Sequence, residues 1–154
     1  MKLEIELVPS TVWYSNVRLL VSKTVWDMIR KESYNIANYK CQICGVSGRL
    51  NCHEIWEYDD KKHIHKLRGF IALCDDCHMI KHMGFAGIQA SKGLIDMDKL
   101  IEHFMKVNNV DEKTFNGHEK DAFEVWHERS KYEWEQDFGE YSKFIKIDKS
   151  HRIV

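Results

Sequence analysis

Two short cysteine pairs constrain this chain more than anything else in it: Cys41-Gln42-Ile43-Cys44-Gly45 and Cys74-Asp75-Asp76-Cys77-His78. A C-x2-C turn aims two thiolates at one point, and two such turns complete a tetrahedral four-cysteine site for a structural zinc ion. Gly45 lets the backbone of the first turn fold back over the metal. Between the pairs lie the 29 residues 45–73, more than a zinc ribbon needs, so a substantial substructure must be inserted there. The fifth cysteine, Cys52, is left over and reads as a small buried hydrophobe.

Metal is favoured over disulfides if the chain resides where thiols stay reduced. No apolar stretch approaches the roughly 18 residues of a membrane span, and the opening MKLEIELVPS alternates charge with apolar residues where a signal peptide would be apolar. A cytoplasmic location with no membrane partner is the expectation. The 154 residues suffice for one domain, taken as 1–154. With 44% apolar residues, 31% charged, one proline and eight glycines, a disordered or collagen-like chain is excluded.

Periodicity predicts an α+β arrangement. Leu3, Ile5 and Leu7 alternate with charges and predict a short strand ended by Pro9. A helix is predicted over 24–38, capped by Ser22 or Thr24. Two strands, 49–58 and 65–73, joined at Asp59-Asp60-Lys61-Lys62, predict a hairpin between the cysteine pairs, and a helix over 76–83 follows the second pair. Asp96 caps a further helix with the face Met97, Leu100, Ile101, Phe104 and Met105, and a last long helix is predicted over 119–138, with Trp126 and Trp134 as packing residues.

Reactive residue types gather in the zinc-pinned segment. His53 and Glu54 fall on the first hairpin strand, and His78 and His82, at i and i+4, share one face of the helix that follows. The three histidines can converge on a divalent ion if that helix packs across the hairpin. Net charge is only −1, but its distribution is uneven. Residues 61–82 carry five Lys/Arg against two Asp (+3), residues 111–140 carry four against ten (−6), and the tail 141–154 is +3. A basic hairpin suits phosphate, and the acidic helix should face away from it.

The order C-x2-C, a strand histidine, then Leu73-Cys74-Asp75-Asp76-Cys77-His78-Met79-Ile80-Lys81-His82 resembles the HNH endonucleases of the ββα-metal class that carry a structural four-cysteine zinc. The match covers about 41–84, with a strand and helix (1–40) and C-terminal helices (94–140) as extensions similar to those of bacterial and phage members. The resemblance implies a metal-dependent hydrolysis of phosphodiester bonds in DNA. It also implies a catalytic divalent ion (Mg2+, Mn2+, Ni2+ or Zn2+) beside the structural zinc, and a possible homodimer. His78 matches the family's helix ligand and His82 the second helix histidine. On the strand two registers remain. In one, Cys52 is the ligand and His53 the general base; in the other, His53 is the ligand and Glu54 replaces the base. The first is preferred, because a neutral imidazole is poised near pH 7 while a solvated glutamate is weakly basic. The family's bracing asparagine falls near Gly69, where this chain has none; His63 or His65 would have to supply the brace. A catalytically silent zinc-stapled module that binds nucleic acid or a protein is the alternative.

Overall fold

The structure, a computed structural model, describes residues 1–12 and 15–145. Between the cysteine pairs β1 (Asn51–Asp59) and β2 (Ile64–Leu73) form the expected antiparallel hairpin, with Asn51 opposite Leu73 and Asp59 opposite Ile64. The Asp59 carboxylate accepts from the backbone N–H of both Lys61 and Lys62, which closes the turn. The ladder slips at Ile55/Trp56, where Gly69 adopts φ +150°. A left-handed residue in a bulge of this kind favours glycine and sharpens the twist of the strand. An asparagine would be strained at this position.

A third strand, β3 (Glu135–Asp137), pairs parallel to β2, so β1 is an edge of the sheet. One face of the hairpin is covered by a four-residue turn of helix, α1 (Val17–Leu20), and by α2 (Lys23–Ile36), which Ser22 caps by accepting from the Val25 N–H. Val17, Ile29, Leu67 and Phe138 form the buried core there. After the second cysteine pair come α3 (Asp75–Lys81) and α4 (Met83–Ser91), which meet at His82, whose φ −103° and ψ 53° break the helix. Then follow α5 (Met97–Asn108), capped by Asp96 as expected, and α6 (Glu112–Arg129). Leu3, Ile5, Leu73, Ile80, Leu100, Phe104 and Phe115 fill a second, larger core among these helices.

Two predicted elements take another form, and α1, α4 and β3 have no counterpart among the predicted elements. Residues 3–7 are extended, with Leu3 and Ile5 buried, but they join no sheet. Their backbone bonds instead go to helices: Leu3 N–H donates to Asn108 Oδ1, Asn108 Nδ2 donates to Leu3 C=O, Ile5 N–H donates to His118 Nε2, and Glu6 N–H donates to Lys81 C=O. The last helix starts seven residues earlier and stops nine earlier than the predicted 119–138. Asp111 is the reason for the start, accepting from both the N–H and the hydroxyl of Thr114. At the end, Trp134 leaves the helix to pack on the hairpin and its indole N–H donates to the Arg129 carbonyl, one of the carbonyls a helix terminus leaves open. Both tryptophans pack as expected, Trp126 donating to the Val8 carbonyl. The basic tail falls mainly on 146–154, outside the described residues. No described helix is long and apolar enough to cross a membrane.

Candidate metal centres and the cleft beside them

The knuckle cysteines come together. The thiol sulfurs of Cys41, Cys44, Cys74 and Cys77 all lie within 4.8 Å of one another, and Cys44 Sγ is 3.7 Å from Cys74 Sγ. A tetrahedron with zinc–sulfur bonds of about 2.3 Å has edges of about 3.8 Å, so the donors fit a structural metal such as zinc. Each turn also directs a backbone N–H at its first sulfur: Cys44 N–H lies 3.5 Å from Cys41 Sγ, and Cys77 N–H 3.4 Å from Cys74 Sγ. Gly45, at φ +79°, donates to the Cys41 carbonyl and closes the first turn. Burial opposes ionisation of Cys41, yet hydrogen bonds from the backbone of Cys44, Cys74 and Ile43 outweigh it and draw the thiol down to about 7. His103 of α5 puts Nε2 3.2 Å from Cys77 Sγ. A ring N–H there would orient and partly neutralise a thiolate ligand.

The first turn is tied to the hairpin by Gln42, whose N–H donates to the Ala72 carbonyl and whose Oε1 accepts from the Ala72 N–H. The cluster therefore fixes the base of β1 and β2 and the start of α3, and with them the second group of donors.

That second group is His53 of β1, His78 of α3 and His82 at the α3–α4 break, with one ring nitrogen of each within 4.8 Å of the others. The rings stand nearly perpendicular to one another, His53–His78 at 73°, His53–His82 at 70° and His78–His82 at 88°. His78 Nε2 and His82 Nε2 are 3.1 Å apart. Two nitrogens on one ion, bonded at about 2.1 Å, are separated by roughly 3.0 Å in an octahedral and 3.4 Å in a tetrahedral arrangement, and the observed spacing lies between. Burial, reinforced by the neighbouring histidines, depresses His53 to about 2, and burial depresses His78 to about 4. Burial also lowers His82. The imidazoles are thus neutral near pH 7, with lone pairs free to bind a cation.

Beside the histidines is a cleft of about 200 Å3 along the free edge of β1, reached by Glu54, Trp56 and Tyr58 as well as by Glu6, Asn16 and Arg18. Glu54 is half-buried, which sets it apart from the solvated glutamate on which the preference for His53 as the base rests. Burial raises its carboxyl to about 7, against the pull of the Val17 N–H that donates to Oε2 at 3.2 Å. Cys52 stands apart from both donor groups. It packs with Trp26, Trp56 and Phe70 around the smaller core, and burial pushes its thiol to about 12.

Neither expected substitute for the asparagine acts as a brace. His65 is fully buried between aromatic rings, 4.2 Å from the stacked Trp56, and neither ring nitrogen has a hydrogen-bond partner among the described residues. His63 stacks on Tyr132 at the hairpin turn. The basic stretch 61–82 is also dispersed. Lys61 and Lys62 sit in the turn, six strand residues beyond His53, or about 20 Å away. Arg68 pairs with Glu57 at 2.7 Å, and buried Lys81 pairs with Glu6 at 2.7 Å.

The cations that do border the site lie outside 61–82, on α1, on α2 and just before β1. Arg18, Lys23, Arg30 and Arg49 line a groove of about 560 Å3 that also includes Trp26, Cys52 and His78 and so adjoins the histidine cleft. The available signal was the set Lys23, Trp26, Arg30 and Tyr34 at helical spacing on one face of α2. Comparisons of the chain with protein-family models, with curated proteins and with solved structures return no match.

Proposed function

We propose that the chain is a metal-dependent endonuclease of the ββα-metal (HNH) kind that hydrolyses phosphodiester bonds in DNA. The observation that carries this reading is the convergence of His53, His78 and His82 on one point beside a cleft that also holds a half-buried carboxyl and an arginine. Three neutral nitrogen donors leave coordination positions open, which distinguishes them from the closed four-cysteine site. A divalent ion held by them would supply Lewis-acid stabilisation of the charge that develops on the phosphate and the departing oxygen.

The protein's own groups supply the rest. His53 takes the ligand role of the second register, because it is His53 and not Cys52 that meets the helix histidines. Glu54 is then the general base, its carboxylate accepting a proton from the attacking water within the same cleft. The Val17 N–H fixes one of its oxygens and leaves the other for that water. Arg18 offers a charged donor to a non-bridging phosphate oxygen. His65, by contrast, packs in the aromatic cluster and takes no part.

Plasmid nicking by the zinc-loaded protein, with Mg2+, Mn2+, Ni2+ or Zn2+ added in turn, tests the reading. Wild type should nick with at least one ion and His53→Ala should not. Equal behaviour of the two across all ions and DNA forms would exclude the enzyme. The silent-module reading is favoured by a single observation, the glycine bulge where the family has its brace. It would be supported by salt-dependent DNA binding that persists in His53→Ala, with no nicking by either protein.

A further inference from the structure

We propose that the groove between α2 and residues 49–52 holds a single DNA strand, the continuation of the strand whose phosphodiester lies at the histidines. The DNA identity of the ligand rests on the nuclease reading; the groove adds Lys23, Arg30, Tyr34 and Arg49 to residues it shares with that site. The groove and the histidine cleft share Arg18, Trp26, Cys52 and His78, so a chain leaving the site enters the groove without crossing a barrier of other elements. At 560 Å3 against 200 Å3, the groove is the larger space, and most of a bound segment would lie there.

Its lining has the two components that strand binding needs. Arg18, Lys23, Arg30 and Arg49 are four cations against one acid, Asp27. Asp27 is held by Arg30 at 2.9 Å, and Arg49 approaches Asp75 only to 3.6 Å. Arg18 and Lys23 have no carboxylate partner within ion-pair distance among the described residues and are exposed. Between the cations, Trp26 and Tyr34 present aromatic surface. Cations interleaved with rings are the general solution for single strands, phosphates meeting the charges and bases stacking on the rings. A duplex is read differently, by a helix that protrudes into a major groove about 12 Å wide. Here the charged face of α2 forms one wall of a recess whose other wall is 49–52, so a duplex would touch only the rim.

Fluorescence anisotropy with the full chain, loaded with one zinc ion and given no other metal, tests this. A labelled 12-nucleotide strand should bind at least about tenfold more tightly than the duplex of the same sequence. An abasic strand of equal length should bind at least about fivefold more weakly, the loss expected of one stacked base. Arg18→Gln with Lys23→Gln changes two exposed side chains and should leave the melting curve unchanged. It should also flatten the slope of log affinity against log salt by about 1.4, or about 0.7 per charge. Lys61→Gln with Lys62→Gln, at the hairpin turn, should leave both affinity and slope unaltered. Equal or tighter duplex binding, or an unchanged slope in the first double variant, overturns the proposal. Nicking is scored separately: its absence in wild type removes the nuclease reading, while the strand-to-duplex ratio still decides the groove.

Discussion

The two donor clusters share α3, which carries Cys77 and His78 side by side, yet they are built for different ends. The cysteine cluster supplies four donors and is walled by the larger core, with Cys77 fully buried and Cys41 at 3% exposure. Its surrounding polar groups are backbone N–H donors, already aimed, together with the His103 ring. The histidine cluster supplies three donors and faces a cleft whose other groups are side chains, among them Glu54 and Arg18. A closed donor set stores its binding free energy in the fold, whereas an open one leaves positions for something that arrives and departs. The helix joins these roles, because the position that pins its first turn also sets the direction of His78 one residue later.

The contrast can be broken most forcefully at Cys77. Structural zinc binding contributes on the order of 10–16 kcal/mol, comparable to the whole stability of a domain. Cys77→Ser should therefore abolish cooperative thermal unfolding, and a chelator should do the same to wild type; an unchanged melt in either case would mean the cysteines are not a structural site. Glu54→Gln should lower nicking about 10²–10⁴-fold while ion binding and the melting temperature persist, as measured by calorimetry on the same samples. His82→Ala should weaken the second ion about 10–100-fold and move the melting temperature by no more than a few degrees. A large loss of stability there would show that the histidines, too, are structural.

A smaller effect comes from a histidine outside both clusters. Burial holds His65 at about 4, below its ordinary 6.5. Between these values the unfolded chain binds the proton and the folded chain does not, so stability rises with pH across the window and is lost as pH falls from about 6.5 to 4. The contribution is at most about 3 kcal/mol. His65→Phe should flatten stability against pH in that interval, followed by urea unfolding of the zinc-loaded protein. An unaltered slope would remove His65 as the cause.

Much of this was legible in the residues and some was not, for identifiable reasons. The cysteine spacing, the hairpin with its Asp59 turn and the caps Ser22 and Asp96 are local signals, and the structure places them as read. Tryptophan periodicity extends the predicted last helix past Ser130, while the cap of Asp111 with Thr114, an equally local signal, sets its true start. Residues 3–7 have the alternation of a strand, but alternation reports only that one face is buried; the partners prove to be Asn108 and His118 side chains, which no periodicity encodes. The partial burial of Glu54 is invisible to local pattern, because it depends on Val17 and α1, 37 residues away in sequence. The cations of the groove were hidden by counting charge along the chain, when Lys23 and Arg30 meet Arg18 and Arg49 only in space.

The N-terminal segment also constrains the order in which the protein can be made. Its contacts span 105 residues to Asn108 and 113 to His118. During synthesis, the second cysteine pair leaves the ribosome before α5 and α6 emerge, so the hairpin can take up its ion while residues 3–7 still lack partners. Contacts of such long sequence separation form late. Residues 3–7 are thus made well before their partners and are among the last to be secured, and until they are, the apolar side chains of Leu3 and Ile5 remain available to whatever binds nascent chains.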